Sequence, residues 1–187
     1  MIELRHVAEL IVLVGNAVEI GETTAGVRRV IPILGGEMSG PRMRGRILPG
    51  GADFQIVRND GVIELDARYI VESENGSRIF VRNSGLRHGP AEAMDRLARG
   101  EQVDPALIYF RTTPRFETGD DGYRWLTRHV FAGSAVRRPD RVELVAGFKP
   151  GRRSEVDQCG IHLLSAGQPV HGFGRTVAKS GVPDEDP

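Results

Sequence analysis

The chain is 187 residues long and its 25 basic and 25 acidic side chains cancel, so no overall field exists to hold a phosphate backbone or an anionic membrane surface. Nucleic acid and membrane are therefore not expected as partners. The length suits one domain with a real hydrophobic core, and the single cysteine, Cys159, excludes an intrachain disulfide or a Cys-x-x-Cys metal or redox pair, which fits a reducing, cytoplasmic compartment.

The first apolar stretch follows Arg5 and His6, is interrupted by Glu9, and is too short and too poorly flanked for a secretory signal or a membrane span. It predicts instead a first strand over residues 2–14. From there 24 glycines and 11 prolines punctuate short β-branched and aromatic runs, predicting strands at 27–34, 43–48, 52–58, 62–73, 77–83, 106–113, 123–132 and 141–148. Arg42, Arg44 and Arg46, beside Gly40, Pro41 and Gly45, read as a solvated loop or strand edge. One short helix is expected from Pro90 to Ala98: proline suits the first helical position, Ala91, Met94 and Leu97 share a face, and Gly100 stops it. This many short strands with brief connections predict an all-β chain closed into a small antiparallel β-barrel, since closure removes exposed edges; a sandwich is the alternative. The barrel domain is expected over residues 1–149, followed by a flexible tail, 150–187, in which only Ile161–Leu164 is apolar.

Two turns bear on function. Asp60-Gly61 and Asn75-Gly76 are favoured two-residue hairpin loops. Taken as such, they place Asp53 opposite Arg68, Gln55 opposite Asp66, and Arg68 opposite Asn83. Asp53, Gln55, Asp66, Arg68 and Asn83 then share one polar face across three strands. A three-residue loop at Asn59-Asp60-Gly61 would shift the first pairing by one and dissolve the Asp53–Arg68 match. The polar face either meets water, as in most antiparallel sheets, or lines a pocket.

Several segments read together resemble a known family. They are Gly26-Val27-Arg28, Ile31-Pro32-Ile33-Leu34-Gly35-Gly36, Gly40-Pro41-Arg42 with Gly45, and Leu48-Pro49-Gly50-Gly51-Ala52-Asp53-Phe54-Gln55. To these are added Leu65-Asp66-Ala67-Arg68-Tyr69, Tyr109-Phe110-Arg111-Thr112-Thr113-Pro114, Phe116-Glu117-Thr118 and Tyr123-Arg124-Trp125-Leu126. In this order they resemble domain of unknown function 3237, the uncharacterised protein family also numbered 0311, over about residues 1–149. The resemblance implies a small, homo-oligomeric β-barrel with no established general activity and a loose association with bacterial metabolism of small, often aromatic, molecules. No catalytic set comes with it, and residues after Phe148 depart from the family pattern.

Familiar site patterns are absent: no dinucleotide-binding glycine motif, no phosphate-binding loop, no nucleophile elbow and no zinc-binding helix. The five histidines, His6, His88, His129, His162 and His171, are scattered, and neither a metal nor a cofactor is expected. What remains are carboxylates, arginines and aromatics on strands. Arg68 and Arg111 are candidates to hold an anionic group by paired hydrogen bonds, and Asp53, Glu117 or Asp66 to move a proton. Trp125 and Tyr123 are candidate apolar walls for a flat ligand, and Tyr109, which shares a strand face with Arg111, is a further candidate binding residue. Arg28, Gln55, Asp66 and Asn83 complete the candidate binding set. The expectation is a small-molecule-binding barrel that acts as a cofactor-free lyase, decarboxylase or isomerase on an oxygenated or aromatic compound. A non-catalytic ligand-binding barrel and a structural dimerisation module remain as alternatives.

Overall fold

A computed structural model of the chain describes residues 4–148. The tail expected at 150–187 lies outside the described residues. The ten strands are β1 (Arg5–Val14), β2 (Val18–Thr23), β3 (Gly26–Ser39), β4 (Gly45–Ile47), β5 (Gly51–Val57), β6 (Ile63–Ser73), β7 (Arg78–His88), β8 (Tyr109–Thr118), β9 (Phe131–Arg137) and β10 (Arg141–Phe148). The helix α1 (Ala91–Ala98) lies where expected, with Pro90 preceding it as a cap in extended conformation instead of occupying its first helical position. All neighbouring strands are antiparallel, and the ring closes because β3 pairs β1 on one side and β4 and β5 on the other.

The long strand β3 organises this closure. Its first half pairs with β2 and β5 and its second half with β1 and β4, so β1–β2 and β4–β5 each act as one interrupted strand flanking it. Counted that way, the barrel has eight ring positions, the size at which side chains can fill the interior or leave room for one small ligand. The bend between the halves of β3 falls at Gly35 and Gly36, with φ of 137° and 143°, a region that L side chains rarely adopt. A Cβ on Gly36 would lie 2.0 Å from the Ile11 carbonyl oxygen. Glycine is thus required where β3 passes over β1.

Strand β2 at Val18–Thr23 lies where no strand is expected from the sequence, and two further expectations need correction. Residues 123–132 do not form a strand: Asp121–Arg128 is a 3₁₀ segment and β9 begins only at Phe131. The Asp120 side chain accepts the Gly122 N–H at 2.7 Å and starts the turn. Trp125 and Leu126, adjacent in sequence, are both buried; a strand would send them to opposite faces, whereas the 3₁₀ turn packs both. The other correction concerns register. Both hairpins use three-residue loops, Asn59-Asp60-Gly61 and Glu74-Asn75-Gly76, as the bonds Arg58 N to Val62 O (2.9 Å) and Ser73 N to Ser77 O (2.9 Å) show. Gly61 and Gly76 take the positive φ that such loops need at the third position, 81° and 83°. The pairs are therefore Ala52↔Arg68, Asp53↔Ala67, Ala67↔Asn83 and Arg68↔Arg82.

The two halves of the interior differ. One end is packed solid by Val71, Ile79 and Val81 together with Trp125, Phe131 and Phe148, whose ring centroids lie 5.6–6.0 Å apart. At the other end gather the β1–β2 linker, the turn at Asp60-Gly61, α1, and the turn at Pro139-Asp140, around a cavity of about 900 Å³. No helix among the described residues is long and apolar enough to cross a membrane.

The closure geometry predicts that Gly36→Ala destabilises the fold by more than the about 1–3 kcal/mol of an unfavourable φ alone, measured by urea denaturation. Gly50→Ala is the control, since Gly50 also has a positive φ, 102°, but a Cβ added there would meet nothing within 4 Å. Equal losses at the two sites would refute the role given to the Ile11 contact.

Candidate functional site in the barrel cavity

Strand alternation sends every second residue into the barrel. On β5 the inward residues are Asp53 and Gln55; on β7 they are Ile79, Val81, Asn83, Gly85 and Arg87; on β8 Thr112 lies opposite Gly85. β3 contributes Arg29 and β9 contributes Arg137. Cross-strand pairing arranges these in rows. One row runs Ile31, Asp53, Ala67, Asn83. The next contains the pair Arg29↔Gln55 and the run Leu65, Gly85, Thr112, Gly133. A third runs Val27, Val57, Ile63, Arg87, Phe110. Small residues at Ala67, Gly85 and Gly133 leave space in the middle of these rows.

Asp53 is the one carboxylate deep in this interior among the described residues, 9% exposed. Its Oδ2 accepts from Gln55 Nε2 at 2.6 Å and its Oδ1 accepts the Asp66 backbone N–H at 3.0 Å. Gln55 is fixed in turn by Arg29 Nε, which donates to Gln55 Oε1 at 2.9 Å. Burial pushes the Asp53 carboxyl above the usual carboxylate range, and the bonds from Gln55 and Asp66, with the Arg87 charge, only partly oppose it.

Three guanidinium groups share the cavity. Arg87 is pulled down to about 10, chiefly by burial and then by its neighbours Arg29 and Arg137. Arg29 and Arg137 are also lowered, burial again being the largest cause. The phenol of Tyr69 is pushed up by burial and by Asp53, which keeps it protonated. Three cations therefore face one reluctant carboxylate, an excess of positive charge inside the cavity. Apolar walls come from Leu65, Tyr69, Phe110 and Leu144. No cluster of three or more metal-ligating side chains occurs among the described residues.

The candidates from sequence divide across the barrel wall. Asp53, Gln55 and Asn83 line the cavity. Asp66 and Arg68 do not join them: the one-residue register change turns both outward, where Arg68 Nη2 donates to Asp66 Oδ2 at 2.7 Å and Arg82 Nε to Oδ1 at 2.9 Å. Those bonds outweigh partial burial and hold Asp66 below the ordinary range. Arg28 also faces out and donates to the Phe54 carbonyl at 3.3 Å. Tyr109 and Arg111 share an outer face, as expected of residues two apart; Tyr109 stacks on His88 at 4.8 Å and Arg111 Nη1 donates to the Phe110 carbonyl at 2.9 Å. Glu117 is exposed, across from Phe80. Trp125 is buried in the packed end, with the Arg42 guanidinium 3.9 Å from its ring, and does not border the cavity.

Arg29, Arg87, Arg137, Tyr69 and Thr112 are the cavity residues that the sequence did not single out. A signal was present for two of them. Ile79-Val81-Asn83-Gly85-Arg87 and Phe131-Gly133-Ala135-Arg137 are alternations of inward residues, apolar or small apart from Asn83, that each end in an arginine.

A raised carboxyl makes stability depend on pH in a defined direction. The folded pKa of Asp53 exceeds its unfolded value, so folding takes up a proton; its contribution is fully present below the unfolded value near 4 and is lost as pH rises through the folded pKa. Asp53→Asn should abolish this component. The difference in unfolding free energy between wild type and Asp53→Asn, followed by denaturation from about pH 4 to pH 8, is expected to move against the wild type with rising pH. A flat difference would contradict the assignment.

Comparison with known proteins bears on this barrel as a whole. Residues 2–146 match the family model described as Protein of unknown function (DUF3237). A UPF0311 protein from Rhodopseudomonas palustris is 50% identical over 141 residues, covering 75% of this chain and 92% of that protein. The crystal structure of a beta-barrel like protein from Acinetobacter baumannii is similar, at 41% identity and a TM-score of 0.70, over 79% of this chain and 96% of that one. A protein from Penicillium herquei described as an enzyme shares the fold, at 19% identity and a TM-score of 0.59, over 79% of this chain and 94% of that one.

Proposed function

We propose that this chain, which belongs to the DUF3237 family of proteins of unknown function, binds a small anionic, oxygenated compound in its barrel cavity and acts on it without a cofactor. The observation that carries this reading is the juxtaposition of one buried, hard-to-ionise carboxyl, Asp53, with Arg29, Arg87 and Arg137 around about 900 Å³ of space. Cavities of this size accommodate drug-sized and smaller ligands.

The chemistry follows from charge. A bound carboxylate, or an enolate formed from a carbonyl compound, finds its countercharge already in place and partly stripped of water, so the arginines stabilise negative charge where it develops. Asp53, tuned upward, is suited to take a proton from carbon and return it elsewhere. Proton removal and return at a different carbon is isomerisation, and loss of a leaving group from the enolate is elimination; in decarboxylation a bound carboxylate activated by a neighbouring carbonyl releases carbon dioxide and leaves the same stabilised enolate, which then takes a proton from Asp53. The roles first considered for Arg68 and Arg111 pass to Arg29, Arg87 and Arg137, and Asp53 keeps its own. Non-catalytic binding is the second reading, favoured by the same preformed cavity, and it predicts stoichiometric capture with no chemical change to the ligand.

Purified protein is offered aromatic and hydroxylated carboxylic acids, with binding followed by calorimetry and conversion by chromatography. Arg87→Met should weaken binding of carboxylates by at least about tenfold, the loss of one charge-assisted pair. Asp53→Asn should retain binding and lose about 10²-fold or more of any turnover. Arg68→Met, on the outer surface, should match wild type in both. Equal behaviour of wild type, Arg87→Met and Asp53→Asn would overturn the proposal.

A further inference from the structure

Three side-chain atoms in the cavity wall are buried without a hydrogen-bond partner: Asn83 Oδ1, Arg87 Nε and Thr112 Oγ1. All three residues are more than nine-tenths buried. Orphaned polar groups are costly and rare in a folded interior, and a group of them beside an open cavity marks the place where a ligand completes the bonding.

The strand register shows that the three belong together. Asn83 and Arg87 project inward from β7 on either side of Gly85, and Thr112 faces Gly85 from β8. Gly85 puts no side chain between them. Gly133, beyond Thr112, keeps its hydroxyl clear, since a Cβ there would fall 2.4 Å from Thr112 Oγ1. Asn83 thus lies one two-residue step along the barrel from Thr112, roughly 6.6 Å, and Arg87 one step the other way. Their chemistry differs along this line. Arg87 Nε and the Thr112 hydroxyl can donate, which suits a carboxylate; Asn83 Oδ1 accepts, which a carboxylate cannot use but a hydroxyl can. With its hydrogen bond to Asn83 included, a hydroxyl para to a carboxylate holds that carboxylate roughly 9–10 Å from the accepting end, between Thr112 at one step and Arg87 at two, and Phe110, Leu65 and Tyr69 supply apolar surface for the ring.

We infer that Asn83, Arg87 and Thr112 form one subsite for an aromatic carboxylate bearing a hydroxyl para to the carboxylate. The carboxylate meets Arg87 and Thr112, and the para hydroxyl donates to Asn83 Oδ1. This rests on the anion-binding cavity proposed above and specifies its ligand. An ortho hydroxyl, adjacent to the carboxylate, cannot reach the accepting end.

The full chain is titrated calorimetrically with benzoate, 2-hydroxybenzoate and 4-hydroxybenzoate. The 4-hydroxy acid should bind at least about tenfold more tightly than the other two, the effect of satisfying a buried acceptor. Asn83→Leu should reduce its affinity to that of benzoate, while Thr112→Val should weaken all three acids alike. The comparison of acids on wild type stands even if a variant does not fold. Equal binding of benzoate and 4-hydroxybenzoate by wild type overturns the subsite and leaves the anion cavity intact. Failure of all three acids to bind overturns both.

Discussion

Closure of the sheet on itself, made by β1 against the second half of β3, is the constraint on which the rest of this structure depends. An open sheet has two faces that can each be partly wet. A closed ring has an inside and an outside, and the period-two geometry of a strand commits every residue to one or the other. The chemistry of the cavity is therefore decided by register alone. With Asp53 across from Ala67 and Ala67 across from Asn83, the carboxyl and the amide face each other over a gap that a methyl group leaves open. One residue of slip in β6 would turn Asp66 or Arg68 into that gap in place of Ala67.

The interior is divided between stability and chemistry. Val71 and Ile79, both fully buried, and the aromatic cluster of Trp125, Phe131 and Phe148 occupy the packed end. The cavity end holds three guanidinia, a carboxyl and three polar atoms without a hydrogen-bond partner. Burying like charges together is unfavourable unless something of opposite sign joins them. A protein that keeps such a group in its barrel has its fold held elsewhere, and here that is the packed end and the ladders of the closed ring.

The architecture was legible from the sequence because glycine and proline spacing, β-branched runs and hairpin turns all pointed the same way, and the motif order pointed to the family. The helix after Pro90 followed from local chemistry alone. The site was half legible. Asp53, Gln55 and Asn83 were identified and do meet inside, yet they were grouped with Asp66 and Arg68, which lie on the opposite side of the wall. The cause is small and specific: Asp-Gly and Asn-Gly fit both two- and three-residue loops, and only the backbone bonds from Arg58 to Val62 and from Ser73 to Ser77 distinguish them. Arg29 lay beyond local inference, because its inward direction depends on how β3 pairs with distant strands. The strand expected at residues 123–132 failed for a related reason, since the adjacent burial of Trp125 and Leu126 arises from their use as a plug at the barrel's end.

That plug has a kinetic meaning. With Trp125, Leu126 and their aromatic neighbours filling one end, the described barrel is a blind well, not a tunnel, and on the proposed function a ligand enters and leaves at the rim formed by α1 and the turns at Asp60 and Asp140. Whatever occupies the well must vacate before a successor can enter. Two molecules of similar shape then exclude each other outright, so a spent ligand and a fresh one contend for the same vacancy. On that proposal residence time, set at the rim, governs how fast one ligand replaces another.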